Sequence, residues 1–226
     1  MQRLAIFGGT FNPVHWGHLL VAETAIAQAG LDRVFWVPTA HPSYRSPQDV
    51  LDLSQRLEMV TRAIADHPQF AIATLPSTSA PSYAIDTLRY FKAKNGGNEW
   101  YWIIGLDAFR SVPHWYRRHE WVEECQWLVA PRAVPPELKG TFENVQDYCQ
   151  TYGQNVAERL AEQSIVIRWQ GLSMPLLEIS SSLIRAYCGD RRSIRYLVPE
   201  AVRTYIIEKK LYISADPLPT PTADGV

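Results

Sequence analysis

Two histidines three residues apart, His15 and His18, lie in GGTFNPVHWGH, the stretch that spans residues 8–18 between an apolar run and a helical pattern. Imidazoles at that spacing share one face of a helix start. They can donate hydrogen bonds to the oxygens of a pentavalent phosphorus centre, and their ordinary pKa is near neutrality. Gly8 and Gly9 let the chain leave the apolar run with phosphate-sized room around its backbone, and Asn12-Pro13 makes a turn. A strand, a glycine turn and a helix N-terminus together aim backbone N–H groups and the positive helix end at an anion. Alone, such a stretch also suits a generic strand-to-helix turn. Metal ligation is disfavoured, because no glutamate lies between the histidines and no Cys/His cluster completes a ligand set.

A second stretch, Ile179-Ser180-Ser181-Ser182-Leu183-Ile184-Arg185, puts a serine run before a periodic apolar segment. Serines there cap a helix and offer hydroxyls and free N–H groups to a second anion. Arg185 falls within the first turn or so, where a cation gains nothing from the helix dipole. A bidentate clamp on phosphate oxygens gives it a reason to be there. An ordinary capped surface helix would read the same way in isolation; beside the first stretch, the phosphate reading is preferred.

The elements that position these residues follow from periodicity. Strands are expected at 3–8, 33–38, 69–74, 100–105, 126–130 and 164–168. Leu19 to Ala29 reads as a helix stopped by Gly30; Ser54 and Ser82 read as N-caps of two more, and Asn95-Gly96-Gly97 ends the second. Pro135-Pro136 marks a loop, and the amphipathic run after Thr141 should help to cover the sheet. The alternation implies an α/β fold: a Rossmann-like, doubly wound parallel sheet with helices on both faces. Gly8 to His18, Gly105 to Trp115 and Ser180 to Arg185 would each follow a strand and line one crevice.

At 226 residues with 46% hydrophobic content, the chain can bury a full core. One domain, 1–213, is expected, with the Pro-rich 214–226 as a disordered tail. A net charge of −1 gives no reason to invoke nucleic acid or membrane as partner. Cys125, Cys149 and Cys188 are odd in number and unclustered, so neither a disulfide framework nor a zinc site is suggested. The chain opens directly on a strand, without a signal peptide or spanning segment, so a cytoplasmic location is expected.

With these two stretches, the chain resembles the nucleotidylyltransferase superfamily, marked by an HxGH element and an [ST]xxxR-like element. More narrowly it is similar to bacterial nicotinate mononucleotide adenylyltransferases, from Met1 to about Tyr212. Four intermediate segments carry the resemblance further: Val37-Pro38 through Tyr44-Arg45, Ser82 through Leu88, Ile103 through Asp107 with His114-Trp115-Tyr116, and Val198-Pro199 through Tyr205-Ile206. It implies an enzyme that transfers AMP from ATP to nicotinate mononucleotide, giving deamido-NAD and pyrophosphate in NAD biosynthesis. His15, His18 and Arg185 would be its catalytic residues. Gly8, Gly9, Thr10, Phe11, Gly105, Asp107, Ser181 and Ser182 would join them in binding ATP. Asp107 could equally be a helix N-cap. The acceptor would rest on Arg45, Ala84, Trp115 and Tyr116, the pyridine stacking on Trp115, while Trp121, Trp127 and Trp169 are left to packing. Mg²⁺ would arrive with the triphosphate.

Three departures from the family pattern bear on this expectation. Asn12 stands where aspartate is common, Tyr44-Arg45 replaces a His-Lys pair, and Ala84 takes the place of a threonine that often helps to bind the nicotinate moiety. The acid acceptor is favoured; nicotinamide mononucleotide, another phosphate acceptor and a catalytically silent nucleotide-binding protein stay open, as does a homo-oligomer. Residues 39–53, with Pro42 and Pro47, suit a closing lid.

Overall fold

Leu4 and Ile6 point to one side of the first strand, β1 (Arg3–Gly9), and Ala5 and Phe7 to the other, and all four are buried. A strand buried on both faces belongs in the middle of a covered parallel sheet. The computed structural model describes residues 1–40, 50–75 and 82–213. Among them β2 (Arg33–Pro38), β3 (Phe70–Ile72), β4 (Glu99–Gly105), β5 (Gln126–Ala130) and β6 (Arg168–Gly171) join β1 in the order β3-β2-β1-β4-β5-β6, every pairing parallel. The strand order reverses between β1 and β4, which opens a crevice beyond their C-terminal ends.

Helices cover both faces, as the alternation requires. One layer packs α1 (Trp16–Ala29), α2 (Leu53–Ile64), α6 (Ser181–Gly189) and α7 (Glu200–Glu208) against Phe7, Trp36, Ile103 and Leu128. The other packs α3 (Ala84–Lys94), the short α4 (Leu106–Phe109) and α5 (Val145–Ala161) against Ile6, Trp102, Trp127 and Val129. Gly30 ends α1 in the left-handed region at φ 61°, its N–H on the Ile26 carbonyl. On α5, Gly153 lies under Trp169 of β6, where a Cβ would come within 2.2 Å of the indole.

The parallel sheet and both helical layers agree with the sequence reading; several boundaries do not. The last strand is Arg168–Gly171, not 164–168. Ile165 and Ile167 are buried beneath the second layer while Val166 is exposed, so their alternation reflects a packed connection from α5. The paired segment, RWQG, is an edge strand whose one large apolar side chain, Trp169, makes no readable alternation. Two N-caps also move: α2 starts after Asp52 rather than at Ser54, and α3 after Tyr83 rather than Ser82. The first helix begins at Trp16, three residues earlier than expected, because His15 and His18 belong to its cap. The expected lid lies partly, and the expected tail wholly, outside the described residues. No helix among the described residues is long and apolar enough to cross a membrane.

Candidate active site

The turn after β1 is held from three sides. Phe11 takes a positive φ of 47° and is buried, its ring edge-on to Phe7 at 5.4 Å and to His18 at 5.1 Å. A Cβ on Gly9 would sit 2.9 Å from that ring, so the glycine makes room for Phe11 rather than for a ligand. Arg56 of α2, only 1% exposed, donates from Nη1 to the Thr10 carbonyl and from Nε to that of Leu51. Asn12 is buried, and its Oδ1 accepts from the Tyr212 hydroxyl at 2.8 Å.

His15 is the N-cap of α1 and His18 its third residue, and the imidazole centroids lie 3.7 Å apart. The His15 backbone N–H donates to Nδ1 of His18 at 3.2 Å. An accepting Nδ1 leaves the neutral ring's proton on Nε2, so the cap selects the tautomer. His15 itself is buried, with Nδ1 unpartnered among the described residues. Its ring covers Gly17, where a Cβ would lie 3.0 Å from Cε1 and Nδ1. Neither pKa stays near neutrality as the sequence suggested. Burial, helped by the Arg132 cation, lowers His15 to about 4. Burial, then His15, then Arg132, lower His18 as well. Both rings are neutral donors before any anion arrives.

The second stretch meets the first across the crevice. Ser180 caps α6, its Oγ accepting from the Leu183 N–H, and the Ser181 hydroxyl donates to the Pro13 carbonyl at 2.8 Å. The hydroxyl is therefore spent on the turn, while the N–H groups of Ser181 and Ser182 open the helix without intrahelical partners. Arg185 Nη1 donates to the Asn12 carbonyl at 2.9 Å and Nη2 to Ser182 Oγ at 3.2 Å.

Beyond β4, a Cβ on Gly105 would meet no atom within 4 Å among the described residues apart from its chain neighbours. Asp107, exposed on α4, pairs with Arg132 at 2.9 Å. Trp115 is the half-buried edge of an indole cluster, 5.8 Å from Trp121 and 6.0 Å from Trp127. Tyr116 packs against Tyr83 with ring centroids 4.4 Å apart, which brings the start of α3 beside it. Thus the Gly8–His18 turn meets the Ser181–Arg185 helix, and Tyr83, just before Ala84, meets Tyr116. Arg45 lies outside the described residues.

Sequence reasoning missed two arginines. Arg132 follows β5, and only the β4–β5 register, Gly105 against Ala130, brings it to Asp107 and into the field of both histidines. Arg56 gives no sequence signal, because a helical arginine normally reads as solvated.

An open sheet with a switch-point crevice, two helix N-termini at it and two adjacent neutral imidazoles fits a nucleotidyl-transferring enzyme. The profile of the Cytidylyltransferase-like family matches residues 6–187. A protein of Trichormus variabilis named "Probable nicotinate-nucleotide adenylyltransferase" is 44% identical over 213 residues, covering 94% of this chain and 98% of the relative. A Gloeobacter violaceus protein of the same name is 34% identical over 217 residues, covering 93% and 96%. Among solved structures, Plasmodium falciparum nicotinic acid mononucleotide adenylyltransferase complexed with APC has this fold, with TM-score 0.70 at 18% identity over 94% of this chain and 98% of that one. The chain belongs to the cytidylyltransferase-like family and, within it, to the nicotinate-nucleotide adenylyltransferases.

Proposed function

We propose that the protein joins the AMP moiety of ATP to nicotinate mononucleotide, giving deamido-NAD and pyrophosphate for NAD biosynthesis. An acceptor phosphate oxygen forms a bond to the α-phosphorus, and the bond to the β-phosphate oxygen breaks on the opposite side. The attacking oxygen is already anionic at neutral pH, so no general base is needed. The protein supplies alignment and charge neutralisation.

The observation that carries this reading is the bond from the His15 N–H to His18 Nδ1, which leaves Nε2–H as donor for the α-phosphate. His15 stands beside it as a second phosphate contact. Arg185 and the free N–H groups of Ser181 and Ser182 take the departing β- and γ-phosphates. Gly8, Gly9, Thr10 and Phe11 shape the turn under the triphosphate. Gly105 admits the nucleoside, and the Asp107 carboxylate accepts from its ribose. Mg²⁺ comes as part of the ATP substrate; the side chains nearest the phosphates are cations and neutral donors, which leave the ion to phosphate oxygens and water.

On the acceptor side, Trp115 offers the pyridine a face, and Arg45, by family resemblance, meets the phosphate. The nicotinate carboxylate goes to backbone N–H groups near Tyr116 and at the start of α3, whose positive end favours an acid over an amide. Recognition by backbone tolerates Ala84. The reading goes with a cytoplasmic enzyme.

Pyrophosphate release from ATP and Mg²⁺, with nicotinate or nicotinamide mononucleotide at matched concentrations, tests it. A strong preference for the acid is expected. Preference for the amide would move the substrate, and no release with either would remove the proposal.

A further inference from the structure

A second basin of about 420 Å³ lies behind the nucleotide crevice, between the segment following β4 and helix α5. Its wall carries Arg110 and His114 on one side and Asn155 and Arg159 on the other. The Arg110 guanidinium lies 4.5 Å over the Tyr152 ring, which fixes its direction without supplying a carboxylate. Neither arginine has a carboxylate partner among the described residues, whereas Arg3, Arg62, Arg89, Arg117, Arg132 and Arg203 each have one. The acid at the rim, Asp107, is already matched by Arg132. Two arginines lining one basin, with an imidazole and a carboxamide beside them, suit the charge and oxygen count of a phosphate dianion.

We infer that this basin is an anion site, distinct from the adenylyl-transfer centre, that takes a phosphate group. Two contacts connect it to the active site. Asp107 belongs to both, and Ser111 of the basin wall accepts from the Trp115 indole N–H at 2.8 Å. The inference needs only the basin's own chemistry and stands apart from the choice of acceptor.

Two-dimensional ¹H–¹⁵N NMR spectra of the ligand-free protein, titrated with inorganic phosphate and separately with ribose 5-phosphate, test it. Saturable shifts are expected at the amides of Ser111, His114 and Asn155. They should vanish in an Arg110→Ala/Arg159→Ala variant and persist in Arg185→Ala. Both substituted arginines of the basin are exposed, and the variant's spectrum without anion checks its fold. Tighter binding of ribose 5-phosphate would identify a phosphate ester as the ligand, and equal binding would identify free phosphate. Shifts confined to residues 8–18 and 181–185, or a response that survives the double substitution, would overturn the proposal.

Discussion

The Arg185 guanidinium reaches back 173 residues to the Asn12 carbonyl, so the proposed phosphate clamp and the turn under the triphosphate form one hydrogen-bonded unit. Removing the side chain should therefore harm both. Arg185→Ala is expected to lower kcat/KM about 100-fold, since charge-assisted bonds to phosphate are lost with the anchor. Arg185→Lys should fall between it and the parent, because an ammonium keeps the charge but not the fork. Steady-state kinetics on ATP checks the order.

His18→Ala should keep the fold and lose roughly 100-fold or more in kcat if Nε2–H serves the transition state. Circular dichroism and single-turnover rates separate folding from chemistry. Near-normal turnover would take His18 out of the mechanism.

Gly17→Ala tests the packing of His15. The new Cβ, 3.0 Å from the imidazole, must push the ring aside. A stability loss of about 1–3 kcal/mol is expected from overpacking. A rate loss of roughly 10- to 100-fold should accompany it, because small displacements at a reacting centre are costly. The ¹⁵N shifts of His15 would report the displacement directly.

Acid should destabilise the ligand-free protein through His15. Its folded pKa of about 4 lies below the ordinary 6.5, so the unfolded chain binds the extra proton between those values. Stability is thus fully present above pH 6.5 and falls as pH drops toward 4, by on the order of 3 kcal/mol for this group. His18 is shifted the same way and steepens the fall. Urea unfolding at pH 7 and pH 4.5 measures the slope, and His15→Gln should flatten it.

Trp115→Ala should raise KM for the acceptor up to about tenfold and leave KM for ATP nearly unchanged, as loss of one stacked face predicts. Trp115→Phe should recover part of that. An equal rise for both substrates would separate Trp115 from the acceptor.

Much of this was legible in the chain because chemistry and local structure coincide between Gly8 and His18. One short stretch ends β1 at Gly9, caps α1 through His15 and His18, and could meet an anion. Ser180 was readable for a similar reason, since a cap acts within three residues. Arg132 was not readable. Its partner Asp107 is set by strand register, which no local pattern encodes. The last strand was misplaced because Ile165 and Ile167 carry the apolar alternation, while edge strand β6 has a single apolar side chain, Trp169, between polar ones. Gly9 was read as room for phosphate, but a ring two residues later fills that room.

Trp115 is also one of four indoles, with Trp102, Trp121 and Trp127, whose neighbouring centroids lie 5.3–6.5 Å apart. At such separations an absorbed photon is shared among the rings before it is emitted. Three of them are sealed in the core, and the fourth, Trp115, is half-buried and is the one proposed to meet the pyridine. A ring stacked there would drain excitation from the whole group, so intrinsic fluorescence can report acceptor binding without a dye or a coupled assay.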